Sequence, residues 1–104
     1  MTCNIVYITT KDKAEAEMIG KILVELRLAA CCNIIDGMEA IYRWEGKIQK
    51  GNEAILIAKT KDTLVPELIE KAKMIHSYSC PCIIALPILS GNDEYLEWIA
   101  SETK

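Results

Sequence analysis

The chain switches between two hydrophobic periods, and each change of period marks a new element. Residues 3–10 form a short β-branched run in which Ile5, Val6, Tyr7 and Ile8 are contiguous, the pattern of a strand covered on both faces. From Lys11 to Ala29 the period becomes helical, with Ile19, Ile22, Leu23 and Leu26 at i, i+3, i+4 and i+7 on one stripe. Away from that stripe Lys13, Glu17, Lys21 and Glu25 recur every fourth residue with alternating sign, a solvated face with weak ion pairs. Gly20 interrupts this helix, either as a local weakness or as a place where another backbone packs closely.

Ala30 to Trp44 reads as extended chain. Asp36-Gly37 can form a bend or bulge there, because glycine accepts positive φ. Glu45-Gly46 suits a two-residue hairpin turn. The return strand spans Lys47 to Thr60, with Gly51-Asn52 as an expected interruption and Ala54–Ala58 as the buried centre. Thr63 to Ile75 predicts a second helix with Val65, Leu68, Ile69 and Ala72 as its stripe, Thr63 as N-cap and Pro66 in the first turn. Pro81 then opens a last strand, Cys82 to Leu89. Asn92 caps a short C-terminal helix carrying Tyr95, Leu96, Trp98 and Ile99.

The resulting order is β-α-β-β-α-β-α. Its first six elements match the ferredoxin-like, or split βαβ, plan, so the fold class is α+β with an additional C-terminal helix. No linker or repeat divides the chain, and residues 1–104 read as a single domain. The second and third strands are long for so small a domain. An apolar hairpin that overhangs the helices needs a partner, so an oligomer is expected.

Composition sharpens this picture at three points. Apolar residues make up 51% of the chain and phenylalanine is absent, so the core must be aliphatic, with apolar surface left for an interface. The net charge of −3 is spread without basic blocks, which argues against nucleic acid as a partner, and no apolar run is long enough for a membrane span. Five cysteines (Cys3, Cys31, Cys32, Cys80 and Cys82), an odd number, together with a start that lacks the marks of an export signal, predict reduced thiols and a cytoplasmic location.

Several side chains are candidates for chemistry. His76 is the one histidine, at a predicted helix C-terminus, where it either caps terminal carbonyls or binds a metal. Cys80 and Cys82 flank Pro81 and face one side if the strand begins by Cys80. With His76 they would form a soft site for Cu(I) or zinc, and as plain strand residues they would simply be buried. Cys31 and Cys32 are adjacent and must face opposite sides. Tyr42 and Trp44 share a face beside the hairpin and can wall a cleft or meet another subunit. Glu53 and Lys59 are charges in an apolar strand, suited to a buried pair, an anion site or an exposed edge. No phosphate-binding glycine loop, GxSxG or HExxH motif is present, so no enzymatic activity is expected.

Read together, these segments resemble the CutA family of divalent-cation-tolerance proteins. The resemblance rests on Thr9, Arg27-Leu28-Ala29-Ala30-Cys31-x-Asn33, Tyr42-x-Trp44-x-Gly46-Lys47-Ile48, Glu53, Lys59-Thr60, His76-x-Tyr78-x-x-Pro81 and Tyr95-Leu96-x-Trp98. It implies a ferredoxin-like protomer and a tight homotrimer in which the long strands pair between subunits. It implies metal binding, with copper the favoured ion, in metal tolerance or homeostasis. The plan is also similar to that of PII signalling proteins, trimers with ligand clefts between subunits. The alternative is therefore a signalling or scaffold trimer that binds a small anion or a partner protein near Tyr42, Trp44, Glu53, Lys59, His76 and Tyr78. Where the family usually has His-Pro-Tyr-Glu, this chain has His76-Ser77-Tyr78-Ser79. Two positions that carry proposed metal ligands in some bacterial relatives are Ile8 and Ile75 here. Of that set only His76 remains, and the residues rather than the resemblance suggest Cys80 or Cys82 as a replacement thiol; the expected metal ligands are His76 and Cys80.

Overall fold

The computed structural model describes residues 2–104. One four-stranded antiparallel sheet organises them. Its strands are β1 (Cys3–Thr10), β2 (Cys31–Trp44), β3 (Lys47–Lys61) and β4 (Ile83–Pro87), in the order β2-β3-β1-β4. Helices α1 (Lys13–Glu25) and α2 (Val65–Ile75) cross between strands on one face, and α3 (Asp93–Glu102) closes the chain. This is the expected ferredoxin-like α+β arrangement with its additional helix.

The strands alternate more strictly than the sequence suggested. Val6, Ile8, Leu56 and Ala58 point to the helices and are fully buried against Ile19, Leu23 and Leu68. Burying an aliphatic side chain of this size contributes roughly 1.5–3 kcal/mol, so this layer holds the protomer together. Ile5 and Tyr7 point the other way and are only half-buried. The contiguous apolar run in β1 thus serves two layers, one present in the protomer and one left open.

The helix boundaries differ from expectation for local reasons. Helix α1 starts two residues later, where Asp12 accepts the Glu15 amide at 2.8 Å as N-cap. It stops at Glu25 because Arg27 adopts φ 58°, the left-handed conformation that ends a helix. The Leu28 amide then reaches back to the Leu23 carbonyl at 2.9 Å and the Arg27 amide to Val24 at 3.0 Å, a Schellman closure with arginine in the usual glycine place. The buried stripe of α1 is Ala16, Ile19, Gly20 and Leu23, while Leu26 is 45% exposed. Gly20 marks a close approach, since a Cβ there would lie 3.2 Å from Leu56 Cδ1 and 3.3 Å from Cys32 Cβ.

Thr63 is not a helix cap. Asp62–Leu64 form a 3-10 turn whose Asp62 carboxylate takes the Thr63 amide, and α2 begins only at Val65 with Pro66 in its first turn. Nor does Gly51-Asn52 interrupt β3, because both pair in register with Ala40 and Glu39. The irregularity lies across the ladder, where β2 slips register between Ile35 and Met38 around Gly37 at φ 73°. Glu45 and Gly46 both have positive φ, as a tight hairpin turn requires. Strand β4 is shorter than expected, so Cys80 and Cys82 precede it. Asn92 caps α3 by accepting the Glu94 amide at 3.1 Å, as its position implied.

Helix α3 packs on the face opposite α1 and α2, but covers one corner only. There Ile99 and Leu96 close over Cys3, Ala30 and Ile88. The rest of that face stays apolar and open, with Ile35, Ile84 and Leu86 each 50–53% exposed beside Tyr7 and Ile57. The hairpin tip extends the open surface, since Ile41 is 71% and Ile48 69% exposed.

Candidate functional site

The β1–α1 junction and the loop after α2 meet at a buried carboxylate. Glu15 lies at the third position of α1, so its carboxylate returns to the helix start and takes the Lys11 amide at 3.0 Å. Its other oxygen takes the Ser77 amide at 2.8 Å. Burial alone would raise this carboxyl, but the Ser77 hydroxyl and the amides of Lys11 and Ser77 outweigh it and hold it below the ordinary carboxylate value. The spacing Asp12-x-x-Glu15 is that of a capping box, and it was the one sequence signal that could have located this residue.

His76 is fixed by the same junction. Its side chain is fully buried. The Tyr78 amide donates to Nδ1 at 3.0 Å, so Nδ1 is the acceptor. Nε2 faces the Thr9 carbonyl at 2.8 Å and must be the donor. Both ring nitrogens are therefore used within the fold, and neither offers a lone pair to a metal. The expectation of His76 as a ligand is corrected on this geometry. So is its reading as a cap for its own helix, because the ring reaches β1 instead. Its role is to set the path of residues 76–79.

That path carries Tyr78 over the sheet, where its hydroxyl donates to Glu53 at 2.7 Å. Burial, and then the Glu53 carboxylate, push the Tyr78 phenol well above its ordinary value, so it remains a donor. Beyond it opens a cleft of about 840 Å³ between the β2–β3 arm, β1 and the loop before β4. Tyr42, Trp44, Glu53, Tyr78, Cys80 and Cys82 all border it. The structure thus unites most of the expected cleft residues and both cysteines around Pro81. It leaves out His76, which lies beneath the cleft wall, and Lys59.

Lys59 belongs to a different group. It is six residues from Glu53 along β3, roughly 20 Å at strand rise, so the two charges make no pair. Lys59 Nζ instead donates to Asn33 Oδ1 and lies 5.7 Å from the Tyr95 ring centre. As expected, Cys31 and Cys32 face opposite sides. Cys32 packs into the helix-side core, where burial pushes its thiol up to about 12, while Cys31 contacts the Tyr95 hydroxyl at 3.3 Å.

Comparison with known proteins places this architecture. The family model described as CutA1 divalent ion tolerance protein matches residues 4–102. The chain belongs to the CutA1 family. It is 46% identical to the divalent-cation tolerance protein CutA of Thermus thermophilus, over 96% of this chain and 97% of that protein. It is 41% identical to the chloroplastic protein CutA of Arabidopsis thaliana, over 96% of this chain but 55% of that protein. The crystal structure of CutA1 from Oryza sativa superposes with a TM-score of 0.97 at 40% identity, covering 100% of this chain and 95% of that one.

Within the CutA1 fold, the chemistry of this chain's cleft is specific. Its charged lining is Glu39, Glu53 and Arg43, a balance that favours a cation over an anion. Among the described residues no three His, Cys, Asp or Glu side chains gather closely enough to hold a metal. A four-ligand zinc site is therefore not available within the protomer. What the cleft does offer is two thiols, Cys80 and Cys82, which are among the chain's free cysteines.

Proposed function

We propose that this chain is a metal-handling protein, that it acts as a homotrimer without catalysis, and that it takes up copper as Cu(I) through Cys80 and Cys82. The observation that carries this reading is the placement of both thiols on one cleft. Soft thiolates select Cu(I), and Cu(I) accepts two of them where zinc asks for four ligands. The carboxylates of Glu39 and Glu53 on the same cleft add attraction for a cation. The relatives named for divalent-cation tolerance support a role in metal tolerance. A cytoplasmic, reducing location keeps Cys80 and Cys82 as thiols and is part of the proposal.

The homotrimer is supported by the open sheet face and the overhanging arm. Ile84, Leu86 and Ile35 would remain wet in a lone protomer, at the expense of roughly 25 cal/mol per Å² of unburied apolar area. Strand β2 is a free sheet edge that can pair with another copy.

The test is competition between the reduced protein and a chromophoric Cu(I) chelator, with light scattering on the same sample. The expected result is trimeric mass and one Cu(I) per protomer, lost in the double variant Cys80→Ser/Cys82→Ser. Stoichiometric binding that survives in that variant would overturn the assignment.

A further inference from the structure

We propose that Glu15 is a positioning residue for the two cleft thiols, a role that rests on the copper reading above. It acts through residues 76–82, the loop that leads from α2 to β4 and carries Cys80 and Cys82.

Both ends of this loop are fastened to one residue of β1. The Thr9 carbonyl accepts from His76 Nε2 at 2.8 Å, and the Thr9 amide donates to the Cys82 carbonyl at 3.3 Å. Thr9 and Cys82 stand one step beyond the Ile8–Ile83 pair. In a continued antiparallel ladder the Thr9 carbonyl would take the Cys82 amide. The imidazole holds that carbonyl, and β4 begins only at Ile83. Cys80, Pro81 and Cys82 thus belong to the loop and lack the restraint of a strand.

Between its ends the loop is held at two points. The Tyr78 hydroxyl donates to Glu53, and the Ser77 amide donates to Glu15 Oε2 at 2.8 Å. Glu15 is the stronger anchor. It is only 6% exposed, and its other oxygen takes the Lys11 amide at 3.0 Å. One buried carboxylate therefore joins the turn after β1, the start of α1 and the thiol loop. Amide bonds to a charged acceptor are about twice as strong as neutral ones. A Ser77 amide released from it would have to find another partner or stay unpaired.

Cys80 is exposed and Cys82 only partly covered, so packing does little to fix them. Their arrangement depends on the loop's fastenings. A metal that must order its ligands as it binds forfeits affinity, whereas ligands already in place spare that cost. Glu15 thereby contributes to Cu(I) affinity without being a ligand.

The test compares the full, reduced native protein with Glu15→Gln, Ser77→Pro and the double variant. Gln has one carbonyl oxygen and cannot serve both amides as the carboxylate does. Ser77→Pro removes the amide that Glu15 holds, leaves the Lys11 bond, and suits the extended backbone of His76 before it, at ψ 144°. Two readings are taken: hydrogen exchange of the loop amides without metal, and competition for Cu(I) with a chromophoric chelator. Thermal melts confirm that each variant is folded.

Glu15→Gln should speed loop exchange about tenfold and weaken Cu(I) binding about tenfold at unchanged stoichiometry. In the Ser77→Pro background the same substitution should change Cu(I) affinity by no more than about twofold, while still lowering the melting temperature through the lost Lys11 bond. A role confined to helix capping would lower the melting temperature and leave affinity alone. Native affinity in folded Glu15→Gln, or an equal loss in both backgrounds, would overturn the positioning role and leave the copper reading standing. Failure of the native protein itself to take up Cu(I) would overturn the copper reading, and this role with it.

Discussion

Arg27 ties the end of α1 to the end of α3, its guanidinium Nη2 donating to the Ser101 carbonyl at 2.9 Å. Nε donates to the Glu102 carbonyl at 3.2 Å, and the Arg27 carbonyl accepts the Lys104 amide at 3.0 Å. One residue thus ends α1 by its backbone and caps α3 by its side chain. Helix α3 carries Tyr95 to Cys31, so this tie also positions that contact.

The two jobs separate by substitution. Arg27→Gly loses the side-chain bonds but relieves the left-handed backbone, whereas Arg27→Ala loses the bonds and keeps the strain. Both should destabilise, and alanine should be worse than glycine by about 1 kcal/mol. Urea unfolding measures this. An alanine variant as stable as the glycine variant would contradict the role given to φ at this position.

Glu15 makes stability depend on acid. Its carboxyl lies below the ordinary value of 4.5 in the folded protein, so the unfolded chain binds a proton first. The stabilisation is complete above about pH 4.5 and disappears as pH falls through the lower folded value. Glu15→Gln should cost about 1–3 kcal/mol at neutral pH and flatten the acid limb of the stability curve. Parallel acid limbs in the two proteins would contradict this.

Much of the fold was legible because strand and helix periods are local. The hairpin turn at Glu45-Gly46, the bulge at Gly37 and the Asn92 cap depend on a few neighbouring residues, and all were read in place. The end of α1 moved because of a distant partner. Arg27 can end α1 as a non-glycine because α3, more than seventy residues later, holds its side chain. Thr63 has no cap role because Asp62–Leu64 wind into a 3-10 turn first, and α2 then starts behind Leu64 without a side-chain cap.

The site was less legible for the same reason. Tyr42, Trp44, Glu53 and Tyr78 were read as cleft residues and do share a cleft, but Lys59 lies too far along the strand. The sequence showed His76 as an unclaimed imidazole. Its partners are backbone groups of Thr9 and Tyr78, and no residue type advertises those. Their engagement makes His76→Gln a stability variant rather than a binding variant. It should cost about 2–4 kcal/mol in urea unfolding, and a substitution with no effect would contradict the buried geometry.

Gly20 gives a packing test. In an exposed helix, Gly→Ala gains about 1 kcal/mol. Here the new methyl group would crowd Leu56 and Cys32 at 3.2–3.3 Å. Gly20→Ala should show no net gain, and a full 1 kcal/mol stabilisation would mean that this helix–sheet contact is looser than described.

Trp44 gives an assembly test. It is 49% exposed on the overhanging arm, so its removal costs the protomer little. Trp44→Ala should lower the mass seen by light scattering while leaving a folded far-UV spectrum. A trimer of unchanged stability would remove Trp44 from the proposed interface.

The most direct measurement of the copper proposal is X-ray absorption at the copper edge, on protein loaded with one Cu(I) per protomer. The expected first shell is sulfur alone, from Cys80 and Cys82, and unchanged in His76→Gln. Imidazole scattering in the native protein, lost in His76→Gln, would contradict it and return the metal to the histidine.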